Sequence, residues 1–182
     1  SSRIVNFYNK WNQATEYTNQ NWTNDDESWE NFKSSILSVS NLRRIHFMGG
    51  EPLLNKRFKL LIDFLLAHKP TLSLSFVTNG TIIDLELIDK LKQFSSCDIE
   101  VSLESINKNN NYIRQGSNTT VILKNIEYLI AQQTDNFRIV LRSVPQLLNI
   151  NNYDQYIRYA WHNRVSIQGI PLMYPKIGRA HV

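Results

Sequence analysis

Four consecutive residues, Gly49-Gly50-Glu51-Pro52, form the segment of the sequence best suited to chemistry. They follow a short apolar run, residues 44–48, which we predict to be a strand buried on both faces in a parallel sheet. Two glycines allow the backbone to adopt positive φ and to approach a ligand closely, and Pro52 fixes the direction in which the chain leaves. Exposed carbonyl oxygens beside the Glu51 carboxylate would suit an ammonium group. The alternative is a tight turn in which Glu51 is only solvated.

Polar segments also follow the other predicted strands. They are Thr78-Asn79-Gly80-Thr81, Ser102-Leu103-Glu104-Ser105, Arg142-Ser143 and Gly169-Ile170-Pro171. Because ligands of parallel α/β proteins bind at the carboxyl ends of the strands, we expect these segments to surround one site.

The elements that position these segments alternate along the chain. We predict strands near residues 44–48, 72–77, 98–103, 137–144 and 165–170, and helices near residues 4–11, 24–40, 55–69, 84–94, 119–132 and 153–163. This alternation indicates βαβ units and an α/β fold with a parallel sheet. Periodicity alone leaves open whether the sheet is doubly wound or part of a β/α barrel.

The composition excludes several classes of protein. A chain of 182 residues with 42% hydrophobic residues indicates one globular domain. The net charge of +4 is spread along the chain, which argues against a nucleic-acid partner, and no apolar stretch is long enough to span a membrane. The single cysteine, Cys97, excludes a disulfide framework, so we expect a cytoplasmic protein.

The residues around the two glycines resemble a known family. The run from Phe47 to Leu54 looks like the Gly-Gly-Glu-Pro motif that closes the second strand of the radical SAM core. In that family the motif's backbone and its glutamate hold the amino group of the methionine moiety of S-adenosylmethionine. Residues 77–81 resemble the end of the family's third strand.

Residues 100–104 resemble the family's fourth strand, where a serine and a following acid bond the ribose hydroxyls. Many members have Asp where this chain has Glu104. Arg142 corresponds to an arginine that meets the cofactor's carboxylate in several members, and the alternative for it is a structural ion pair. The cofactor-binding residues implied by the resemblance are Met48, Gly49, Gly50, Glu51, Pro52, Asn79, Ser102, Glu104 and Arg142.

The resemblance also implies a fold and an activity. The expected fold is a partial parallel (β/α) barrel of the radical SAM type over residues 1–175, with about five strands of six, followed by a non-native or disordered tail at 176–182. Residues 112–117 are similar to a segment of members with a twitch or SPASM extension. The implied reaction is reductive cleavage of S-adenosylmethionine to a 5′-deoxyadenosyl radical that abstracts hydrogen from a substrate, with a peptide as the family-weighted candidate. An electron donor such as flavodoxin or ferredoxin is the implied partner.

One element of the family pattern is missing. The loop Cys-x3-Cys-x2-Cys, whose thiolates hold the 4Fe-4S cluster, has no counterpart, and Cys97 fits better as a small buried hydrophobe. The start at Ser1 without Met favours an N-terminally truncated piece with its cysteines upstream over a degenerate member without a cluster. We therefore expect residues 1–182 alone to be catalytically inactive.

Two other functions remain open at this point. Glu51 and Glu104 at neighbouring strand ends are candidates for holding a divalent cation in a barrel lyase or hydrolase. A cluster-free module that binds S-adenosylmethionine is the third candidate. Of the remaining polar residues, His46 is predicted to be a satisfied core histidine, and residues 107–111 a flexible loop.

Overall fold

A computed structural model describes residues 25–169 of the chain. The predicted helix at residues 4–11, the segment Ile170-Pro171 and the predicted tail at 176–182 lie outside the described residues. The chain divides into two compact units, Ser1–Asn41 and Leu42–Val182.

In the first unit, helix α1 spans Asp26–Ser38. Its N-cap is Asp25, whose carboxylate accepts a hydrogen bond of 2.8 Å from the backbone N–H of Ser28. Asp26 and Glu27 in the first turn lie where the helix dipole favours negative charge. The helix begins at Asp26, two residues after the predicted start at residue 24.

The described part of the second unit, residues 42–169, contains a five-stranded sheet with order β1-β2-β3-β4-β5, and each neighbouring pair is parallel. The strands are β1 Arg44–Phe47, β2 Ser73–Thr78, β3 Ser96–Ser102, β4 Phe137–Ser143 and β5 Ser166–Gly169. The helices are α2 Lys56–His68, α3 Leu85–Leu91, α4 Asn109–Ile113, α5 Thr119–Ala131 and α6 Tyr153–His162, with 3-10 turns at Pro52–Leu54 and Ile150–Asn152. This alternation confirms the predicted α/β fold with about five parallel strands.

One face of the sheet carries the apolar core. Its buried side chains include Leu74, Phe76, Cys97, Ile99, Val101, Phe137, Ile139 and Leu141. Phe58 of α2 packs edge-on against Phe47 and Phe76, with ring centroids 5.2 and 5.3 Å apart. Three further helices pack on the same face. Leu87 of α3 lies beside Phe76, and Ile122 of α5 lies beside Val101. Tyr153 of α6 lies beside Ser143.

The opposite face of the sheet is mostly polar, although Val77 and Val140 lie on it level with Glu100. Because side chains alternate along a strand, the register places on this face Arg44, His46, Ser75, Asp98, Glu100, Ser102, Arg138, Arg142 and Gln168. Arg44 and His46 are exposed, so the prediction that β1 is buried on both faces is wrong, as is the prediction that His46 is a core residue. Among the described residues of the second unit, helices pack on one face of the sheet and charged side chains lie on the other, which is the arrangement of a barrel wall rather than of a doubly wound sheet.

Candidate functional site

The turn after β1 has a backbone conformation that depends on its glycines. Gly49 has φ +97° and Gly50 has φ +61°, both in the region that L-residues with a side chain rarely adopt. A Cβ atom placed on either residue would meet nothing within 4 Å. The glycines therefore serve the backbone conformation, and the space beside them is open to a ligand. Met48, which precedes them, is 67% exposed.

Glu51 is held in place by the end of β2. Its Oε1 accepts hydrogen bonds from the Thr78 hydroxyl at 2.7 Å and from the Leu53 N–H at 3.3 Å, while Oε2 accepts one from the Asn79 N–H at 2.7 Å. Pro52 is buried at the start of the 3-10 turn that follows Glu51. A carboxylate offers about four acceptor positions, so one position on Oε2 remains free of donors from the described residues.

Asn79, predicted to bind the cofactor, contributes to the turn itself. Its side-chain oxygen accepts hydrogen bonds from the N–H and the hydroxyl of Thr81, at 2.9 and 2.6 Å. Gly80, with φ +71°, follows it, and a Cβ there would lie 2.8 Å from a methyl group of Val101. The close approach to β3 explains why this turn carries a glycine. The Asn79 N–H, together with the Thr78 hydroxyl, thus links this turn to Glu51.

Glu104 lies at the centre of a buried hydrogen-bonded cluster. Its Oε2 accepts from the Val144 N–H at 2.8 Å, and its Oε1 lies 3.4 Å from a guanidinium nitrogen of Arg114. Its backbone N–H donates to Asn110 Oδ1 at 2.9 Å, and its carbonyl accepts from Asn149 Nδ2 at 3.0 Å. The side chain of Glu104 therefore joins the exits of β3 and β4 to the segment around α4.

The Asn-rich run at residues 107–111 is not the flexible loop that its composition suggests. Residues 109–113 form helix α4, and Asn110 is fully buried. Its Nδ2 lies 3.4 Å from Ser117 Oγ and 3.3 Å from Thr119 Oγ1, while Asn111 Oδ1 accepts from the Thr119 N–H at 2.8 Å. The sequence contains the asparagines, but it does not show that their partners are Glu104 and the start of α5. Sequence reasoning also missed Asn149 and Val144.

Ser102 and Arg142 face each other across β3 and β4 on the polar face. The Ser102 hydroxyl makes no hydrogen bond with another described residue, so it is available to a ligand. Arg142 forms an ion pair with Glu100, with 2.8 Å between its Nη1 and Glu100 Oε2. The second carboxylate oxygen of Glu100 lies 3.7 Å from His46 Nδ1, which is itself 2.7 Å from Ser75 Oγ.

Cys97 lies near the amino end of β3, away from the strand ends that carry the turns described above. It is fully buried, and burial raises the pKa of its thiol well above its ordinary value, with the nearby Asp98 charge adding to the effect. A protonated, buried thiol does not ligate iron. Since it is the only cysteine of the sequence, these residues cannot supply three thiolates to a cluster.

The described residues give no support to a divalent-metal site. Among residues 25–169, no three His, Cys, Asp or Glu side chains are grouped so that they could hold a metal ion. The Glu51 and Glu104 carboxylates are instead bonded to backbone N–H groups and to the side chains of Thr78 and Arg114.

None of the helices between residues 25 and 169 has the length and apolar character needed to cross a membrane.

Comparison with known proteins gives a family match and a shared fold. The family model described as the Radical SAM superfamily matches residues 12–175. No curated protein matches the sequence. Streptococcus suis SuiB bound to S-adenosylmethionine superposes with a TM-score of 0.60 at 13% identity, over 72% of this chain and 30% of SuiB.

Two further solved structures share the fold. SuiB bound to the precursor peptide SuiA has a TM-score of 0.60 at 13% identity, over 70% of this chain and 28% of that one. Native anSMEcpe with bound AdoMet and Cp18Cys peptide has a TM-score of 0.63 at 20% identity, over 82% of this chain and 44% of that one. The chain thus spans less than half the length of each of these proteins.

Proposed function

This chain belongs to the radical SAM superfamily, and on that premise we propose that it is the cofactor-orienting core of a radical SAM enzyme. S-adenosylmethionine would bind at the carboxyl edge of the sheet, beside Gly49, Gly50 and Glu51. Bound there, S-adenosylmethionine would supply the 5′-deoxyadenosyl radical that abstracts hydrogen from a substrate, and the electron for its reductive cleavage to methionine would come from a donor such as flavodoxin or ferredoxin by way of an iron–sulfur cluster. The chain's own residues bind and orient it.

The observation that carries this proposal is the free acceptor position of Glu51. Thr78 and Asn79 fix the carboxylate, and an open space adjoins two glycines whose positive φ shapes the turn. An ammonium group in that space can donate to Glu51 Oε2 and to the carbonyl oxygens of Gly49 and Gly50, to which no described residue donates a hydrogen bond. The residues present therefore fit the amino group of the cofactor's methionine.

The other proposed contacts follow the cofactor from this point. The unbonded hydroxyl of Ser102 would receive a ribose hydroxyl, and Arg142 would meet the carboxylate. Glu104 is buried and its carboxylate oxygens are engaged, so we propose that it acts on the ribose side chiefly by fixing the Ser102 strand end. Met48, Pro52 and Asn79 shape the turns on either side of Glu51.

The iron–sulfur cluster of the family does not fit this sequence, because Cys97 is its only cysteine and is buried. We propose that the thiolates come from outside residues 1–182 and that these residues alone do not catalyse cleavage of S-adenosylmethionine. Formation of 5′-deoxyadenosine by the 182-residue chain would contradict this. A cluster-free module that binds the same cofactor remains the second candidate, since it would use the same turn without any turnover.

We further propose a peptide as the substrate. The support is that SuiB and anSMEcpe, which share the fold, are seen with the peptides SuiA and Cp18Cys. The polar face of the sheet, with its alternating acidic and basic side chains, suits the amide groups of a peptide. A longer form of the protein that produces 5′-deoxyadenosine with no member of a peptide library, but does so with a small molecule, would contradict this assignment.

Binding of S-adenosylmethionine to the 182-residue chain, measured by isothermal titration calorimetry, tests the proposed function. We expect binding that Glu51→Gln weakens by about tenfold, because the replaced oxygen no longer offers a full charge to the ammonium group. Glu127→Gln, on the exposed surface of α5, is the matched control and leaves binding unchanged. Absence of binding by the native sequence would refute the proposal.

A further inference from the structure

Two acid–base pairs lie one above the other on the polar face of the sheet, and they differ in how the arginine is used. Near the amino end, Asp98 accepts from both Nε and Nη2 of Arg138, at 2.8 and 3.3 Å. Near the carboxyl end, Glu100 accepts from Nη1 of Arg142 at 2.8 Å. The first pair uses one whole edge of its guanidinium, whereas the second uses a single nitrogen.

Because of this difference, Arg142 keeps N–H donors that form no hydrogen bond with a described residue. A guanidinium carries five N–H donors, and among the described residues only the Nη1 group of Arg142 forms a hydrogen bond through its side chain. The side chain of Arg142 is 21% exposed, against 55% for Arg138. A partly enclosed guanidinium with unused donors is suited to a planar anion such as a carboxylate.

Glu100 is itself held on its other side. Its Oε1 lies 3.7 Å from His46 Nδ1, and that nitrogen is 2.7 Å from Ser75 Oγ. The side chain of Glu100 is only 12% exposed, between basic groups supplied by β1 and β4. The acid therefore lies between His46 of β1 and Arg142 of β4, and it restricts the conformations open to Arg142.

We infer that Glu100 is a positioning residue for the cofactor's carboxylate. It holds Arg142 through Nη1 and keeps the remaining donors of the guanidinium together for an incoming carboxylate, that of bound S-adenosylmethionine. This inference rests on the proposed function. It differs from a merely structural ion pair in one respect: loss of Glu100 affects only ligands that carry the carboxylate.

The test compares S-adenosylmethionine with its decarboxylated analogue on the 182-residue chain, by calorimetry. Arg142→Gln weakens the binding of S-adenosylmethionine by about tenfold and leaves the binding of the analogue unchanged. Glu100→Ala weakens the binding of S-adenosylmethionine by about fivefold, and it also leaves the binding of the analogue unchanged. Glu100→Gln recovers part of the affinity because its amide oxygen still accepts from Nη1. The double variant, with both Glu100→Ala and Arg142→Gln, binds S-adenosylmethionine as weakly as Arg142→Gln alone.

Asp98→Ala is the matched control, since it removes the other acid of the same face and leaves both affinities unchanged. Thermal unfolding of each variant shows that it is folded at the temperature of the titration. Equal weakening of both ligands by Glu100→Ala, or no weakening of either, overturns the positioning role while the proposed function stands. If the native chain binds neither ligand, both the positioning role and the proposed function are overturned.

Discussion

The hydroxyl of Thr78, the last residue of β2, donates a hydrogen bond of 2.7 Å to the carboxylate of Glu51, which follows β1. Thr78 is 2% exposed, and its Oγ1 also accepts from the Gly80 N–H at 3.2 Å. One buried hydroxyl therefore connects the Gly-Gly-Glu-Pro turn to the turn after the neighbouring strand. The orientation of Glu51 depends on this connection.

Replacing Thr78 by Val removes the hydroxyl and keeps the shape of the side chain. We expect a loss of about 1–2 kcal/mol of unfolding free energy, because the Gly80 N–H and Glu51 Oε1 each lose a partner. Urea denaturation measures the change. Thr120→Val, at an exposed position on α5, is the control and shifts the midpoint little. An unchanged stability of Thr78→Val would show that the hydroxyl does not fix Glu51.

Replacing Asn110 by Ala removes the side chain that bonds the backbone of Glu104. The Glu104 N–H then stays buried without its acceptor, and we expect destabilisation by about 2–3 kcal/mol. Chemical denaturation measures this, with Asn109→Ala as the control in the same short helix. Similar stabilities of the two variants would argue against a central role for Asn110 in the cluster around Glu104.

The stability contributed by Asp84 depends on pH. Asp84 is the N-cap of α3, accepting from the Leu87 N–H at 3.1 Å, and it pairs with Lys59. The hydrogen bond from Lys59, followed by that from Leu87, lowers the pKa of its carboxyl. Because the pKa is lower in the folded state, the contribution is complete above the ordinary pKa of about 4 and is lost as the pH falls through the folded value.

We therefore expect Asp84→Ala to cost about 1 kcal/mol at neutral pH, and the difference from the native chain to shrink below about pH 4. Urea denaturation at several pH values measures it. Asp89→Ala, at an exposed position of the same helix, is the comparison. A cost for Asp84→Ala that stays constant down to pH 2 would contradict the assigned role.

Cys97 is predicted to be unreactive in the folded chain. Burial raises the pKa of its thiol, so it stays protonated at pH 8 and out of reach of a reagent. Iodoacetamide, followed by mass spectrometry, should leave the native chain unmodified and label it fully in denaturant. Rapid labelling under native conditions would mean that β3 opens, or that the thiol lies elsewhere.

The order of the strands and of the helices longer than five residues in the second unit follows from the sequence, whereas the short helix α4 does not. Apolar runs at strand spacing alternate with stripes at helical spacing, and Asn55, Asp84 and Asn118 cap their helices through local hydrogen bonds. Such features involve residues close together in the chain, so a single sequence reveals them. The Gly-Gly-Glu-Pro turn belongs to the same class, because positive φ at Gly49 and Gly50 is a local requirement.

The partners of the site residues were decided only by the tertiary structure. Glu100 and Arg142 are 42 positions apart, and Glu104 bonds the Val144 N–H over 40 positions. Whether Arg142 meets a ligand or an acid, and whether an asparagine run forms a loop or a buried cluster, depends on the register of neighbouring strands. That register forms only when distant segments pair and bury one face of the sheet. The sequence by itself determined which residues reach the strand ends, and the packing of the sheet decided which of them hold one another and which keep donors or acceptors free for a ligand.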